Sequence, residues 1–308
     1  MVRDRSRLFD AQASLTSAIS TSIGHGDQKG ILMGERLWSV SLAALITFAS
    51  PIFVSPAAPR EIPAPVAVRY TEGLVHGFLV LRTLEGDTIA DGDLSQVAQG
   101  DKVTSRVVFH FKDGSVHDEV AVFSQRRNFR LLNDHLVQKG PSFRNPVELS
   151  IDGSTGQVTV RSTGDDGQEK LVTDRLDIPE DLANGLVFTL LKNLRPGAPL
   201  TRVSMVAATP KPRLVKLAIT SQGDETFSVA GSPRTATHYV VKVEIGGAAG
   251  LVAPLLGKQP PDTHVWVLGG PSPAFVKSEG PLYFGGPIWR IELANPVWPR
   301  SAAAVSKD

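Results

Sequence analysis

The 308-residue sequence contains no cysteine, and its formal net charge is only +1. A chain without cysteine has no disulfide, no thiol nucleophile and no cysteine-ligated zinc. Residues 1–57 contain five of the 32 basic residues and four of the 31 acidic ones, which leaves 27 of each for the rest of the chain. Because binding to phosphates needs a basic surface, this balance argues against nucleic acid as a partner.

The sequence also lacks the common catalytic motifs. Neither a G-x-S-x-G nucleophile elbow nor an H-E-x-x-H zinc motif occurs. The stretch 250–258, GLVAPLLGK, resembles a phosphate-binding loop, but six residues separate its glycines and Gln259 stands where such a loop needs Ser or Thr. We therefore expect no cofactor and no bound metal, and a function without catalysis is favoured.

The apolar stretch 37–49, LWSVSLAALITFA, has 13 residues, or 18 if it is extended to Val54. A membrane-spanning helix needs about 20. A short apolar run followed by small residues is typical of a cleaved export signal. We predict a signal peptide over 33–57, translation that begins at Met33 with 1–32 as a non-native extension, and a periplasmic or secreted protein. The alternative is an uncleaved signal anchor that holds the protein near a membrane.

The rest of the chain is predicted to form one β-rich domain over 66–296, between a proline-rich tether at 58–65 and a disordered tail at 297–308. Short runs rich in Val, Phe, Leu and Thr alternate with Gly, Asp and Pro turns, which is typical of antiparallel strands. Strands are predicted at 66–70, 74–84, 102–112, 115–124, 127–133, 147–151, 156–162, 200–208, 213–220, 225–230, 234–245, 263–268, 273–278 and 287–293.

One segment breaks the strand pattern. Apolar residues at helical spacing predict an amphipathic helix over 179–194, with Pro179 at its start and Pro196-Gly197 after its end. The predicted fold class is mainly β: a curved antiparallel sheet or half-open β-barrel with one amphipathic helix.

The dipeptide Asp113-Gly114 predicts a two-residue hairpin turn. In that register His110 pairs with His117, and both share a polar face with Glu119. Two imidazoles and a carboxylate suit zinc, so a metal-assisted hydrolase built on these three residues is an alternative function. The opposite face is expected in the core and carries Val107, Phe109, Phe111, Val116 and Val120.

Aromatic residues are concentrated with Gly and Pro in the C-terminal third of the chain. Aromatic side chains beside a few polar groups are typical of a ligand pocket, although they also occur in ordinary cores. The residues predicted to line such a pocket are Trp266, Phe275, Tyr283 and Trp289.

The segments FKDGSVHDEVAVFSQ, LVQKGPSF, ATHYVVKVEIGG and GKQPPDTHVWVLGGPSPAFVKSEGPLYFGGPIWRIEL resemble an uncharacterised family of exported bacterial β-rich proteins. This resemblance covers about 70–295. In architecture the chain is also similar to the half-open barrels of periplasmic lipoprotein carriers. The resemblance implies a fold and a location, and it transfers no functional residue.

The first functional hypothesis is therefore an exported protein that binds or carries an apolar or lipid-like ligand, with the predicted helix as plug or lid. The alternatives are the metal-assisted hydrolase and a structural envelope protein without a pocket.

Overall fold

The computed structural model describes residues 64–164, 167–195, 197–229, 232–244 and 259–294. In these ranges the chain forms fourteen strands and one helix. In chain order the elements are β1 (Val75–Arg82), β2 (Thr88–Gln99), β3 (Lys102–Phe111), β4 (Val116–Gln125), β5 (Phe129–Lys139), β6 (Val147–Asp152), β7 (Gln157–Thr163), β8 (Glu169–Arg175), α1 (Val187–Asn193), β9 (Thr201–Ala207), β10 (Arg213–Val229), β11 (Ser232–Glu244), β12 (Thr263–Leu268), β13 (Ala274–Pro281) and β14 (Ile288–Leu293). The mainly-β prediction is confirmed.

The predicted signal peptide at 33–57, the extension at 1–32 and the tail at 297–308 lie outside the described residues. Among the residues that are described, no helix is long and apolar enough to cross a membrane.

All fourteen strands belong to one antiparallel sheet, in the order β8-β7-β6-β5-β4-β3-β2-β1-β14-β13-β12-β11-β10-β9. The first and last strands of the described chain therefore pair in the middle, where Leu79 lies opposite Leu293 and Leu81 opposite Ile291. The sheet edges are β8 and β9, which α1 separates in the sequence.

The sheet is strongly curved around α1. One cluster of buried residues joins Phe123 of β4 and Leu149 of β6 with Tyr239 of β11 and Val265 of β12, and it includes Leu190 of α1. In a flat sheet of this order, β5 and β11 would lie about 38 Å apart, at about 4.8 Å per strand. They can share a core only because the sheet curls, so the predicted curved sheet is confirmed. We call the face that carries this core the inner face.

A second apolar cluster lies further along the inner face. It consists of Leu79, Leu81, Ala90, Phe109, Phe111, Phe143 and Trp289. Phe143 comes from the loop between β5 and β6, and its ring meets that of Tyr283, from the loop between β13 and β14, at 5.3 Å. These two loops therefore contribute to the second cluster.

The helix is shorter than predicted, because it covers Val187–Asn193 rather than 179–194. Gly185 has a positive φ of 64°, which a right-handed helix does not accommodate. The preceding side chains bind β9 instead of extending the helix: Asp181 accepts a hydrogen bond from Ser204, and Asn184 exchanges two with the backbone of Val206.

Hydrogen bonds and an ion pair link the C-terminal end of α1 to the segment that precedes β1. The side-chain oxygen of Asn193 accepts hydrogen bonds from the backbone N–H groups of Arg69 and Tyr70, both at 2.8 Å. Lys192 forms an ion pair of 2.6 Å with buried Glu72. The other Glu72 oxygen accepts a hydrogen bond from Gln96, so the helix end is held by a buried polar network.

The register predicted for the β3–β4 hairpin is wrong. Three residues rather than two form the turn, since Phe111 pairs with Ser115 and Gly114 has a φ of 84°. A three-residue loop with a left-handed glycine adds one residue to the turn. Phe109 therefore lies opposite His117, where the two-residue turn predicted His110. A shift of one residue turns every side chain of β4 to the other face.

Candidate functional site

The shifted register places Glu119 on the inner face, inside a row of apolar residues. Paired residues of neighbouring strands point to the same face of a sheet. Glu119 lies opposite Val107 of β3 and Leu136 of β5, and the row continues to buried Leu149 of β6. Protein surrounds the Glu119 side chain, yet the residue keeps part of its accessible surface. It is therefore not sealed inside the core.

Asp134 lies in the neighbouring row. It pairs with Ala121 of β4 and Ile151 of β6, which are both buried. Only 2% of Asp134 is exposed, and among the described residues neither of its carboxylate oxygens has a hydrogen-bond partner. A buried carboxylate without a partner is costly and therefore unusual.

A bulge in β5 turns Asp134 inward. Phe123 pairs with Leu131, but Val122 pairs with Asn133, so Leu132 is an extra residue. Strict alternation from buried Leu131 would put Asn133 on the inner face. Sequence patterning did not indicate Asp134, because the predicted strand ended at 133 whereas β5 continues to Lys139.

Glu119 and Asp134 are diagonal neighbours, because Asp134 pairs with the residue two positions after Glu119. Burial raises the pKa of Glu119 to about 7. Burial, and then the nearby charge of Glu119, raise the pKa of Asp134 well above its ordinary value. Near neutral pH the pair therefore holds protons unless a cation balances it.

Gly185, just before α1, brings the backbone close to this pair. A Cβ atom at this position would lie 3.1 Å from Oδ1 of Asp134, 3.7 Å from the Glu119 carboxyl carbon and 2.5 Å from Cβ of Ala121. Gly185 is itself exposed. The two carboxyl groups therefore border the same small region, which accommodates no side chain at 185.

Glu119, Asp134 and His117 form a polar stripe on the inner face, and His117 lies nearest the second cluster because it is paired with Phe109. Nδ1 of the His117 ring accepts a hydrogen bond of 3.0 Å from the Gln138 side-chain amide nitrogen, which also donates to the backbone oxygen of Leu282. Burial lowers the pKa of His117 to about 4, against the opposing effect of Asp118, so the imidazole is neutral at neutral pH.

Apolar side chains around this stripe are not fully buried. Phe275 of β13 packs against both apolar clusters and lies 4.8 Å from the ring of Phe188 of α1. The half-buried apolar residues that pack against one or both clusters include Leu94, Val107, Val187, Phe188, Phe275, Ile291 and Leu293. Inner-face residues that keep accessible surface offer apolar area that a ligand could cover.

The four predicted pocket residues do not share one wall. Phe275, Tyr283 and Trp289 lie on the inner side, in or against the second cluster. Trp266 lies on the outer face, since it pairs with His238 and Lys277, whereas its neighbour Val265 is in the core. Their contact with a ligand remains a prediction.

Trp266 belongs to an outer-face arrangement of its own. Its indole stacks on His238 at 4.4 Å, and Lys277 Nζ lies 4.0 Å from the ring centroid. The indole N–H donates a hydrogen bond of 2.7 Å to Glu225. All the polar groups of this cluster have partners, so it is explained as surface packing.

The predicted metal-binding arrangement is not formed. His110 is exposed on the outer face, while His117 and Glu119 point inward. Asp118 also lies on the outer face, where Arg106 donates two hydrogen bonds to it at 2.9 and 2.7 Å. Within the described ranges, no three His, Asp or Glu residues are grouped as metal ligands.

Comparisons with known proteins provide a distant structural similarity and no activity. No family model matches the chain, and no curated protein matches it. Among solved structures, the chain is similar to a β-barrel-like protein of the domain of unknown function DUF1849 from Brucella abortus. The match covers 75% of this chain and 100% of that chain, with 10% identity and a TM-score of 0.43. The candidate site is therefore argued from its own geometry.

Proposed function

We propose that this protein is exported and binds an apolar, lipid-like molecule on the inner face of its curved sheet, where the two apolar clusters meet. The supporting observation is the set of half-buried apolar side chains that pack against those clusters, with Phe275 in contact with both. Phe275, Tyr283 and Trp289 are proposed as ligand contacts, and Trp266 is omitted because it lies on the outer face.

The driving force is the removal of apolar surface from water. Each Å² of apolar surface that a ligand covers contributes about 25 cal/mol. Side chains already held on a rigid sheet lose little further entropy when a ligand binds. Because the C-terminal end of α1 is fixed through Glu72 and Asn193, the proposed ligand packs against the helix rather than displacing it.

Leu94→Trp tests this proposal, because a larger side chain at this inner-face position fills the proposed space. The control is Val97→Trp on the same strand, since Val97 is exposed on the outer face. The measurement is titration of the mature protein with 1-decanol by displacement of a fluorescent apolar probe. We expect saturable binding by the wild type and by Val97→Trp, and at least about tenfold weaker binding by Leu94→Trp.

Equal affinity in the two tryptophan variants would contradict the proposed position. Absence of binding by the folded wild type would contradict the proposed function and favour a structural role.

Export is tested separately by N-terminal sequencing of protein from an envelope fraction. We expect a mature start near Ser50 or Ala58. An intact residue 1 would contradict both the signal peptide and the start at Met33.

A further inference from the structure

We propose that the ligand carries an ammonium group, which binds between the carboxyl groups of Glu119 and Asp134 while its apolar part lies along the neighbouring inner-face side chains. This inference rests on the proposed function and specifies the chemical class of the ligand: a cationic amphiphile rather than a neutral or anionic lipid.

The first support is the contrast between Asp134 and the other deeply buried carboxylates. The side chains of Glu72 and Asp181 are 7% and 0% exposed, and each is paired with a lysine, Lys192 at 2.6 Å and Lys216 at 3.3 Å. Asp134 is as buried, but it has neither a cation nor a hydrogen-bond donor among the described residues. Since buried charges in proteins are paired, Asp134 lacks a partner that the other two have.

The second support is the location of this unpaired group. It points toward the region beside Gly185 that Glu119 also borders. Glu119 is half-buried and Gly185 is exposed, whereas the Asp134 oxygens are closed to solvent. In this proposal the ammonium group approaches from the accessible side of Glu119, and a small movement of the Asp134 side chain completes the contact.

An ammonium group matches this arrangement better than a metal ion does. It offers three hydrogen-bond donors and one positive charge, which the Asp134 and Glu119 oxygens can accept together. Calcium needs six to eight oxygen ligands, and magnesium needs six. The residues paired directly with the two carboxylates are Val107, Leu136, Ala121 and Ile151, and the next residue of the Asp134 row, Ser105, adds one hydroxyl, which is too few oxygens for either ion.

The apolar surroundings define the rest of the ligand. Val107 lies directly opposite Glu119, and Leu94 lies directly opposite Val107 on the next strand. Both are half-buried. An alkyl chain that leaves the ammonium group in this direction would cover these residues and run toward Phe275.

The test compares three ten-carbon probes that differ only in their polar group: decylamine, 1-decanol and decanoate. Each is titrated below its micelle concentration at pH 7.5 against the mature wild-type protein, Glu119→Gln, Asp134→Asn and the double variant. Asp118→Asn is the control, because Asp118 is on the same strand but faces outward to Arg106. Circular dichroism and thermal unfolding verify that each variant is folded.

For the wild type and Asp118→Asn we expect decylamine to bind at least about tenfold more tightly than decanol, as charge-assisted hydrogen bonds in a buried site allow. Decanoate should bind more weakly than decanol because of repulsion. In the double variant the preference for decylamine should fall to about threefold or less, while the affinity for decanol remains.

Equal binding of decylamine and decanol by the wild type would overturn the ammonium site and leave the proposed apolar site intact. Absence of binding of all three probes would overturn the proposed function as well. Stabilisation by Ca²⁺ or Mg²⁺ alone, lost in the double variant, would also overturn the inference, because the pair would then be a metal site.

Discussion

Glu119 and Asp134 carry an energetic cost in the folded protein. The unfolded chain ionises both carboxyl groups near their ordinary pKa values, whereas the folded protein holds their protons to higher pH. Between the ordinary and the raised pKa values the folded state binds more protons than the unfolded state. The free energy of unfolding therefore falls as pH rises through this range. For Glu119 this fall extends from about pH 4.5 to about 7.

We therefore expect the Glu119→Gln/Asp134→Asn double variant to be more stable than the wild type at pH 8, by about 2 kcal/mol or more. The amides cannot ionise, so their burial costs less at high pH. Thermal unfolding at pH 5, 6, 7 and 8 would measure this, with Asp118→Asn as the outer-face control. A wild-type melting temperature that rises from pH 5 to 8 in parallel with that of the double variant would contradict the raised pKa values.

His117 has an effect of opposite sign. Its pKa is lowered to about 4 in the folded state, so the unfolded chain binds a proton first as pH falls below 6.5. In the double variant, stability should therefore decrease as pH falls from 6.5 to 4. His117→Gln in that background should flatten this decrease in the same melting experiment, and an unchanged slope would argue against a buried neutral imidazole.

Gly185 is predicted to be intolerant of any side chain. Its φ of 64° costs an L-residue about 1–2 kcal/mol, and a Cβ atom would also lie 2.5 Å from Cβ of Ala121. We expect Gly185→Ala to lower the free energy of unfolding by about 3 kcal/mol in urea denaturation. Gly167→Ala is the control, because Gly167 has a φ of 72° with nothing within 4 Å of its Cβ position. Equal losses would show that the backbone angle alone accounts for the effect.

The C-terminal end of α1 is held by the buried ion pair between Lys192 and Glu72. Removal of one partner leaves the other charge buried without compensation. We expect Lys192→Met to lower the free energy of unfolding by about 3 kcal/mol, and hydrogen exchange should increase in α1 and at 69–72. Arg126→Ala is the control, because Arg126 and its partner Asp101 are exposed by 81% and 43%. A loss in Lys192→Met no larger than in the control would show that the network does not stabilise the helix end.

Two strands were absent from the sequence-based prediction. In β2 the sequence TIADGDLSQVAQ contains Asp, Gly and Ala, and in β8 the sequence EKLVTDR is mostly polar. These residues have low strand propensity. The two segments form strands because neighbouring strands supply their hydrogen bonds. In β2, glycine is required at position 92, since a Cβ atom there would collide with the ring of Phe109.

The β1–β14 pair connects the two halves of the sheet. Because β14 lies between β1 and β13, its loss would interrupt the hydrogen-bonded sheet between β1–β8 and β9–β13 and remove Trp289 from the second cluster. We expect a chain that ends at Gly286 to lose cooperative unfolding, whereas a chain that ends at Ala294 keeps it. Circular dichroism during urea denaturation would measure this, and a cooperative transition in the shorter chain would show that the shared core holds the two halves together without β14.

Sequence patterning determined the mainly-β class, the antiparallel pairing of successive strands and the position of one helix, because alternation and turn residues are local signals. Patterning also predicted a curved sheet, but the pairing of β1 with β14 and the polar stripe required the tertiary structure. A single extra residue in the 112–114 turn turned His117 and Glu119 inward, and a single bulge did the same for Asp134. Strand side chains alternate with a period of two, so a shift of one residue moves each side chain to the other face of the sheet. Such a shift changes which residues are buried without any change in the amino-acid composition.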